Sequence, residues 1–523
     1  MRMIGFLCLL ALCSGLSGSE FHIGVYLYDY AMTRTAQGYG KDPMQFADEH
    51  FRILSRNGVN TLHLTVNNRE NFEKIFLPLL KKYQIKAILQ LDFSYFKPET
   101  AWTEAHENIR AKEAGQFIAA HQQEPAILGF SVREEVAHKD VHALARYYQK
   151  ILEHAPGAKL AIVHSSLGAA RDMPVPDPAI LGTDRYAFWW EFSGNGYIAS
   201  PAFSLNWLRE QAANFQQEAA ARGSDFIFVV TQGGWVFVTD DLPGTVKRIL
   251  KNAPDQEKER FVQRLREYAA NKQNGWNEFE HEGKKIYTCW KYYRLPENCL
   301  KAAAWLAVME GARYFLCWSY NPMPKELAGT NLETVARQVW VQKRKTKPYT
   351  DFGYYSLAGR PGKPNPQLAE FAVVAKEIRK FESLIMRMNK LPQSPVTTET
   401  KKKDFNRAFA IPGYNGKVIV LHNADVGIWP YDSKYFFDAK ETISIDEEGQ
   451  FSGYIPHTKP RTVRFKVQLQ PGEKVFSFVD KAELTAAADK LYAITVLPGS
   501  GTFIFVGKDG EFNKLKELVS NQE

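Results

Sequence analysis

The run Ala126-Ile127-Leu128-Gly129-Phe130-Ser131-Val132 ends abruptly in Arg133-Glu134-Glu135, and its reading decides the fold. An apolar, β-type run that stops in charge reads as a buried strand opening onto a surface. Two adjacent carboxylates beside an arginine are costly to pack into a core. Where strands alternate with helices, the carboxyl ends of the strands are where chemistry is built.

Working outward, the same pattern recurs along residues 20–387. Apolar runs at 21–27, 59–66, 85–91, 126–132, 160–163, 180–186, 226–231 and 313–318 are strand candidates. Helical patterns lie between them. Asp42 reads as an N-cap, with Pro43 at the first helical position and Gln45 completing a capping box. Met44, Ala47, Phe51 and Leu54 form that helix's apolar face, and Gly58 ends it. Asp140 caps a helix facing inward through Val141, Leu144, Tyr148 and Ile151, and Asn365-Pro366 opens a closing helix. Eight strand–helix units predict an α/β fold, a (β/α)8 barrel with insertions. A doubly wound sheet would carry a Gly-rich phosphate loop after its first strand, and none is present.

Residues 388–406, with Pro392, Pro395 and a lysine run, read as a linker. The period then changes to two. Short alternating runs such as Val418-Ile419-Val420-Leu421 predict a small all-β sandwich over 407–510, with 511–523 as a tail. At the other end, an apolar stretch from Leu7 to Leu12 follows Arg2 and precedes Ser17-Gly18-Ser19. Residues 1–19 therefore read as a signal peptide, and the protein as exported to the periplasm or the extracellular space.

The chain has 523 residues, 45% of them hydrophobic, enough for a large core and a further domain. Net charge is +8, but the cations are scattered and there is no nucleic-acid motif. No segment of the mature chain reads as membrane-spanning. Cys289, Cys299 and Cys317 make neither a disulfide framework nor a zinc site. A Cys289–Cys299 bridge and unpaired buried thiols both remain open. Aromatic residues make up 13%, which suits sugar recognition, because sugar rings stack on Trp and Tyr faces. Neither an organic cofactor nor a metal is implied.

In a barrel all eight strand ends converge on one pocket. They bring together Tyr28 and Asp29, Asn67, Asp92, Glu134 and Glu135, His164, and Asp184 with Arg185 and Tyr186. Gln232, Trp235, Trp318 and Tyr320 complete the set. Carboxylates, amides and aromatics concentrated in this way suit an oligo- or polysaccharide. Hydrolysis of a glycosidic bond needs an acid for the leaving oxygen and a group to stabilise or trap the oxocarbenium ion. Glu135 is the choice for the acid, Glu134 its partner and Asp184 the base. In a regular strand, neighbours alternate, so only one glutamate of the pair would point inward. The bland readings are that one glutamate pairs with Arg133, and that His164 is a hydrogen-bonded wall residue.

Three segments carry a resemblance. They are Gly129-Phe130-Ser131-Val132-Arg133-Glu134-Glu135-Val136, Gly182-Thr183-Asp184-Arg185-Tyr186 and Val229-Val230-Thr231-Gln232-Gly233-Gly234-Trp235. With the C-terminal sandwich, they resemble exported TIM-barrel glycoside hydrolases. That group commonly ends strand four in an acidic or Asn-Glu pair whose second member is the general acid/base, which implies Glu135. Retaining members place a nucleophilic Glu at the end of strand seven, where this chain has Gln232. The resemblance therefore leaves three routes: Asp184 or Asp92 as base, the substrate's own N-acetyl group oriented by Glu134, or a sialidase-like tyrosine. A catalytically silent carbohydrate-binding barrel is the reading from another class.

Overall fold

A computed structural model describes residues 20–98, 103–174, 177–184, 201–231, 236–249, 254–272, 276–290, 295–325, 334, 337, 340–341, 356–359, 365–401, 403–428 and 454–520. Eight parallel strands form one sheet: β1 (His22–Tyr28), β2 (Thr61–Thr65), β3 (Lys86–Gln90), β4 (Ile127–Ser131), β5 (Ala161–His164), β6 (Ile180–Thr183), β7 (Asp225–Thr231) and β11 (Tyr314–Trp318). β11 pairs with both β7 and β1. A bridge between Phe130 and Leu160 joins β4 to β5, so the sheet closes on itself as a (β/α)8 barrel. Each predicted strand forms to within a few residues.

Alternation along the strands divides the core in two. Tyr26, Ile88, Val163, Ile180, Val229 and Leu316 fill the barrel, while Val25, Leu27, Leu64, Leu89 and Ile162 face the helices. Glycine serves where strands crowd inside. A Cβ on Gly182 would lie 2.1 Å from the Ile227 methyl Cγ2, and one on Gly24 would lie 2.2 Å from the Thr61 carbonyl oxygen. The capping expected at Asp42 is present, its carboxylate accepting from Gln45 N at 2.9 Å ahead of helix Pro43–Arg56. Asn365 caps helix Pro366–Arg379 in the same way, but Asp140 makes no side-chain cap bond.

One sheet is added to the barrel, and two sequence expectations change. After β7 the chain adds a three-stranded antiparallel sheet, β8 (Val236–Thr239), β9 (Trp276–His281) and β10 (Lys284–Trp290), with helices Leu242–Ile249 and Asp255–Ala270 between β8 and β9. The stretch 388–406 is not a linker. Asn389–Lys390 pairs with Phe409 and Ala410, and Val396–Thr398 pairs with 465–467, so this stretch contributes strands to both sheets of the sandwich. Nor is 511–523 a plain tail. It lies largely in helix Asp509–Ser520, which buries Phe512, Leu515 and Val519. Pairing partners far along the chain decide such segments, and local composition does not report them. Cys299 is a buried free thiol, which closes the question of a bridge to Cys289.

The sandwich packs a six-stranded sheet on a three-stranded one, with Ile419, Leu421, Val463, Phe465 and Ile504 between them. The other face of the larger sheet is also buried. Phe405, Phe409, Val418, Phe503 and Phe505 join the outer core of the barrel, and Trp305 on helix Cys299–Met309 lies tilted against Phe503, ring centroids 5.7 Å apart. No helix among the described residues is long and apolar enough to cross a membrane.

Candidate active site

Strand β4 ends at Ser131, and the chain continues along β5, with Glu135 N donating to the Val163 carbonyl at 2.9 Å. Glu135 has φ +51, in the left-handed region. A side chain other than glycine is strained there by about 1–2 kcal/mol. The turn breaks the alternation of a regular strand, and both glutamates face the same opening. The strand rule predicted only one of them inward; the positive φ is the reason both reach it.

Glu134 is held from two sides. The Tyr26 hydroxyl donates to its Oε1 at 2.8 Å, and His63 Nε2 lies 3.0 Å from the same oxygen. Tyr26 and His63 stack at 4.1 Å and are buried inside the barrel mouth.

Asp184 follows β6 on the inward face that Ile180 and Gly182 share, and it is buried. Burial pushes its carboxyl well above the usual carboxylate range. A hydrogen bond with the Glu135 carboxyl and the charges of Glu135 and Glu134 push it further the same way. Two neighbouring carboxyl groups cannot both ionise cheaply, so Asp184 is favoured in its neutral form beside Glu135. Glu135 is the exposed member and Asp184 the buried one. Arg133 does not organise this group. Its guanidinium lies over the Tyr95 ring at 4.7 Å and donates to the Phe96 carbonyl at 3.3 Å.

Other sequence candidates divide by where their strands aim them. Trp318 faces inward at the pocket base and donates through Nε1 to the Tyr28 hydroxyl at 2.9 Å. Asp92 is half-buried and accepts from Gln90 Nε2 at 3.0 Å, and Asn67 is exposed at the rim. Asp29 is a bracket for the backbone. Its carboxylate accepts from Tyr30 N at 2.6 Å, Asn67 N at 2.8 Å and Asn68 N at 3.2 Å, tying the first strand's loop to the second's. Burial raises its pKa to about 6 in spite of those bonds. Two candidates point away from the pocket. His164 alternates with Val163, lies fully buried toward the helices with Ile162, and is pushed down to about 4 by burial. Tyr320 is buried against helix Pro43–Arg56, its hydroxyl 2.8 Å from His50 Nδ1. Arg185, Tyr186, Gln232 and Trp235 lie outside the described residues, as do Trp189, Trp190, Tyr292, Tyr293 and Arg294.

Sequence reasoning missed His63 and Tyr95. The signal for His63 was there: Thr61, His63 and Thr65 alternate with Leu62 and Leu64 and so share the barrel's inner face. Tyr95, in the loop after β3, sits within electrostatic reach of Arg133, Glu134, Asp92 and Glu135 and carried no periodic signal.

No family model and no curated protein matches the chain. Solved structures do. A Glycoside Hydrolase Family 5 mannosidase from Rhizomucor miehei is 10% identical, with TM-score 0.39 over 68% of this chain and 93% of that one. A noncanonic maltogenic alpha-amylase from Thermotoga neapolitana is 8% identical, with TM-score 0.44 over 92% of this chain and 98% of that one. A trehalose-6-phosphate hydrolase from Bacillus licheniformis is 11% identical, with TM-score 0.44 over 94% of this chain and 99% of that one. A likeness at such identities concerns the fold, and function has to be argued from side chains.

Proposed function

We propose that this protein is an exported glycoside hydrolase, cleaving O-glycosidic bonds of an extracellular glycan with Glu135 as the general acid. The observation that carries the reading is the carboxyl pair Glu135–Asp184 beside the separately anchored Glu134.

The chemistry follows from the three environments. Asp184, buried and pushed toward its neutral form, keeps a proton available to Glu135. Glu135, exposed to the pocket mouth, delivers that proton to the leaving oxygen as the C–O bond breaks. Glu134, fixed by Tyr26 and His63, faces the positive charge that develops at the anomeric carbon, or orients an N-acetyl group that attacks it. Water then adds at the anomeric carbon and its proton returns to the pair.

Asp184 takes a different role from the one the sequence suggested. An inverting base stands roughly 6.5–9.5 Å from the acid so that a water fits between, and a retaining nucleophile about 5–5.5 Å. The Glu135 carboxyl lies close enough to Asp184 to raise its pKa, so we read Asp184 as serving the acid's proton instead of activating water. Trp318 and Tyr28 give a sugar-binding base to the pocket.

Hydrolysis of a glycan panel that includes N-acetylated and acidic sugars tests the reading. Wild type is expected to cleave at least one member, and Glu135→Gln to lose about 10²–10⁴-fold in kcat. Equal inactivity of both across the panel, with glycan binding retained, would replace the enzyme with a carbohydrate receptor.

A further inference from the structure

At the opposite end of the barrel from Glu134, a cleft of about 700 Å³ opens between the barrel floor and the sandwich. Asp225 begins β7 and Arg313 immediately precedes β11, so the cleft lies at the amino ends of the strands. Its volume falls within the roughly 300–1,000 Å³ of small-molecule sites.

Its charge is unbalanced. Arg313, Lys390 and Arg407 line it, against Asp225 alone. Behind them Glu310 is fully buried; Lys390 Nζ donates to it at 2.6 Å, and Arg407 Nη2 reaches its two oxygens at 2.7 and 3.0 Å. One carboxylate thus serves two cations, whose side chains keep 18% and 27% of their surface exposed. Arg209, its guanidinium over the Phe405 ring at 4.4 Å, adds a further cation within reach of the same carboxylate. Four cations stand against three carboxylates, Asp225, Glu310 and the Glu210 beside Arg209. A cross-domain ion pair would need only one cation for Glu310. The surplus in a concave, partly desolvated space focuses a positive field.

The remaining lining says what kind of anion fits. Asn214, Gln217 and Asn389 offer amides, which pair with hydroxyls as donors and acceptors. The aromatic residue on the lining, Phe226, is only 3% exposed, so there is no ring platform and recognition falls to charge and hydrogen bonds. We propose that this cleft is a second carbohydrate site, binding an oligosaccharide that carries an acidic group, with Arg313, Lys390 and Arg407 holding the anion. It is separate from the catalytic mouth, and its choice of a sugar ligand rests on the proposed function.

Calorimetric titration of the full chain at low ionic strength tests it, with tetragalacturonate, a sulfated carrageenan tetrasaccharide and neutral cellotetraose as probes. At least one acidic probe should bind about tenfold or more tighter than cellotetraose, and less well as salt rises. Which one binds distinguishes carboxylate from sulfate. The double variant Asn214→Asp/Gln217→Glu adds negative charge at two exposed helix positions without removing any bond to Glu310. It should weaken the acidic probe about fivefold or more, with melting temperature unchanged. Glu135→Gln should leave that affinity unaltered. Failure of both acidic probes to bind, equal binding of cellotetraose, indifference to the double variant, or loss in Glu135→Gln would each overturn the proposal.

Discussion

Asp184 above the barrel and Glu310 below it are both buried carboxylates, and the protein surrounds them in opposite ways. Glu310 receives Lys390 and Arg407, charge-assisted bonds that fasten the sandwich to the barrel. Asp184 receives another carboxyl group and the charge of a third. A fold selected for stability alone would not assemble Glu134, Glu135 and Asp184 in one mouth, nor hold Glu135 at positive φ. Such concentrated cost is expected where charge is needed for chemistry. The contrast sets a structural carboxylate apart from the one proposed to serve catalysis.

The comparison can be broken most directly at its lower end. Glu310→Gln leaves Lys390 and Arg407 partly buried without their counter-charge and should destabilise the protein by about 3–5 kcal/mol. Asp184→Asn should change stability by no more than about 1 kcal/mol at neutral pH, since the native group is already held near its neutral form. Urea unfolding of the two variants decides it; comparable losses would erase the distinction.

Asp29 sharpens it. Its folded-state pKa is raised, to about 6 from 3.8, so its contribution to stability is whole below about 4 and is lost as pH rises through about 6. The shift corresponds to about 3 kcal/mol. Wild type should lose that much between pH 4 and pH 7 in a series of unfolding curves, and Asp29→Asn should flatten this part of the profile.

The smallest effect concerns the acid's proton. The charge of Glu134 helps raise Asp184, so Glu134→Gln removes part of that push. The alkaline limb of the kcat/KM profile should move to lower pH by about one unit, alongside any loss of rate. An unmoved limb would uncouple Glu134 from the proton-holding pair.

Much of this was legible in the sequence, and the failures have physical causes. The eight strands announced themselves because a strand covered on both sides must be apolar throughout. The triplet Arg133-Glu134-Glu135 marked the site because charge at the end of such a run has to meet solvent or function. The direction of each glutamate was not legible, since it turns on one dihedral at Glu135. His164 and Tyr320 were misplaced for a related reason. Both follow apolar runs, but the phase of the alternation past the strand end aims them at the helices. The stretch 388–406 looked like a linker because its prolines and lysines are read locally, while its strands are defined by partners up to 71 residues away in register, as Val396 is with Val467.

The larger sheet of the sandwich has a consequence for how such a chain can be shared between proteins. Because Phe405, Phe409, Phe503 and Phe505 are buried against the barrel side, neither half is a portable module. A barrel cut free after residue 387 would present a wet aromatic scar prone to self-association, and the sandwich alone would have an oily back. Recombination at that junction would have to replace both faces together, so the two halves are expected to be inherited, expressed and unfolded as a single unit.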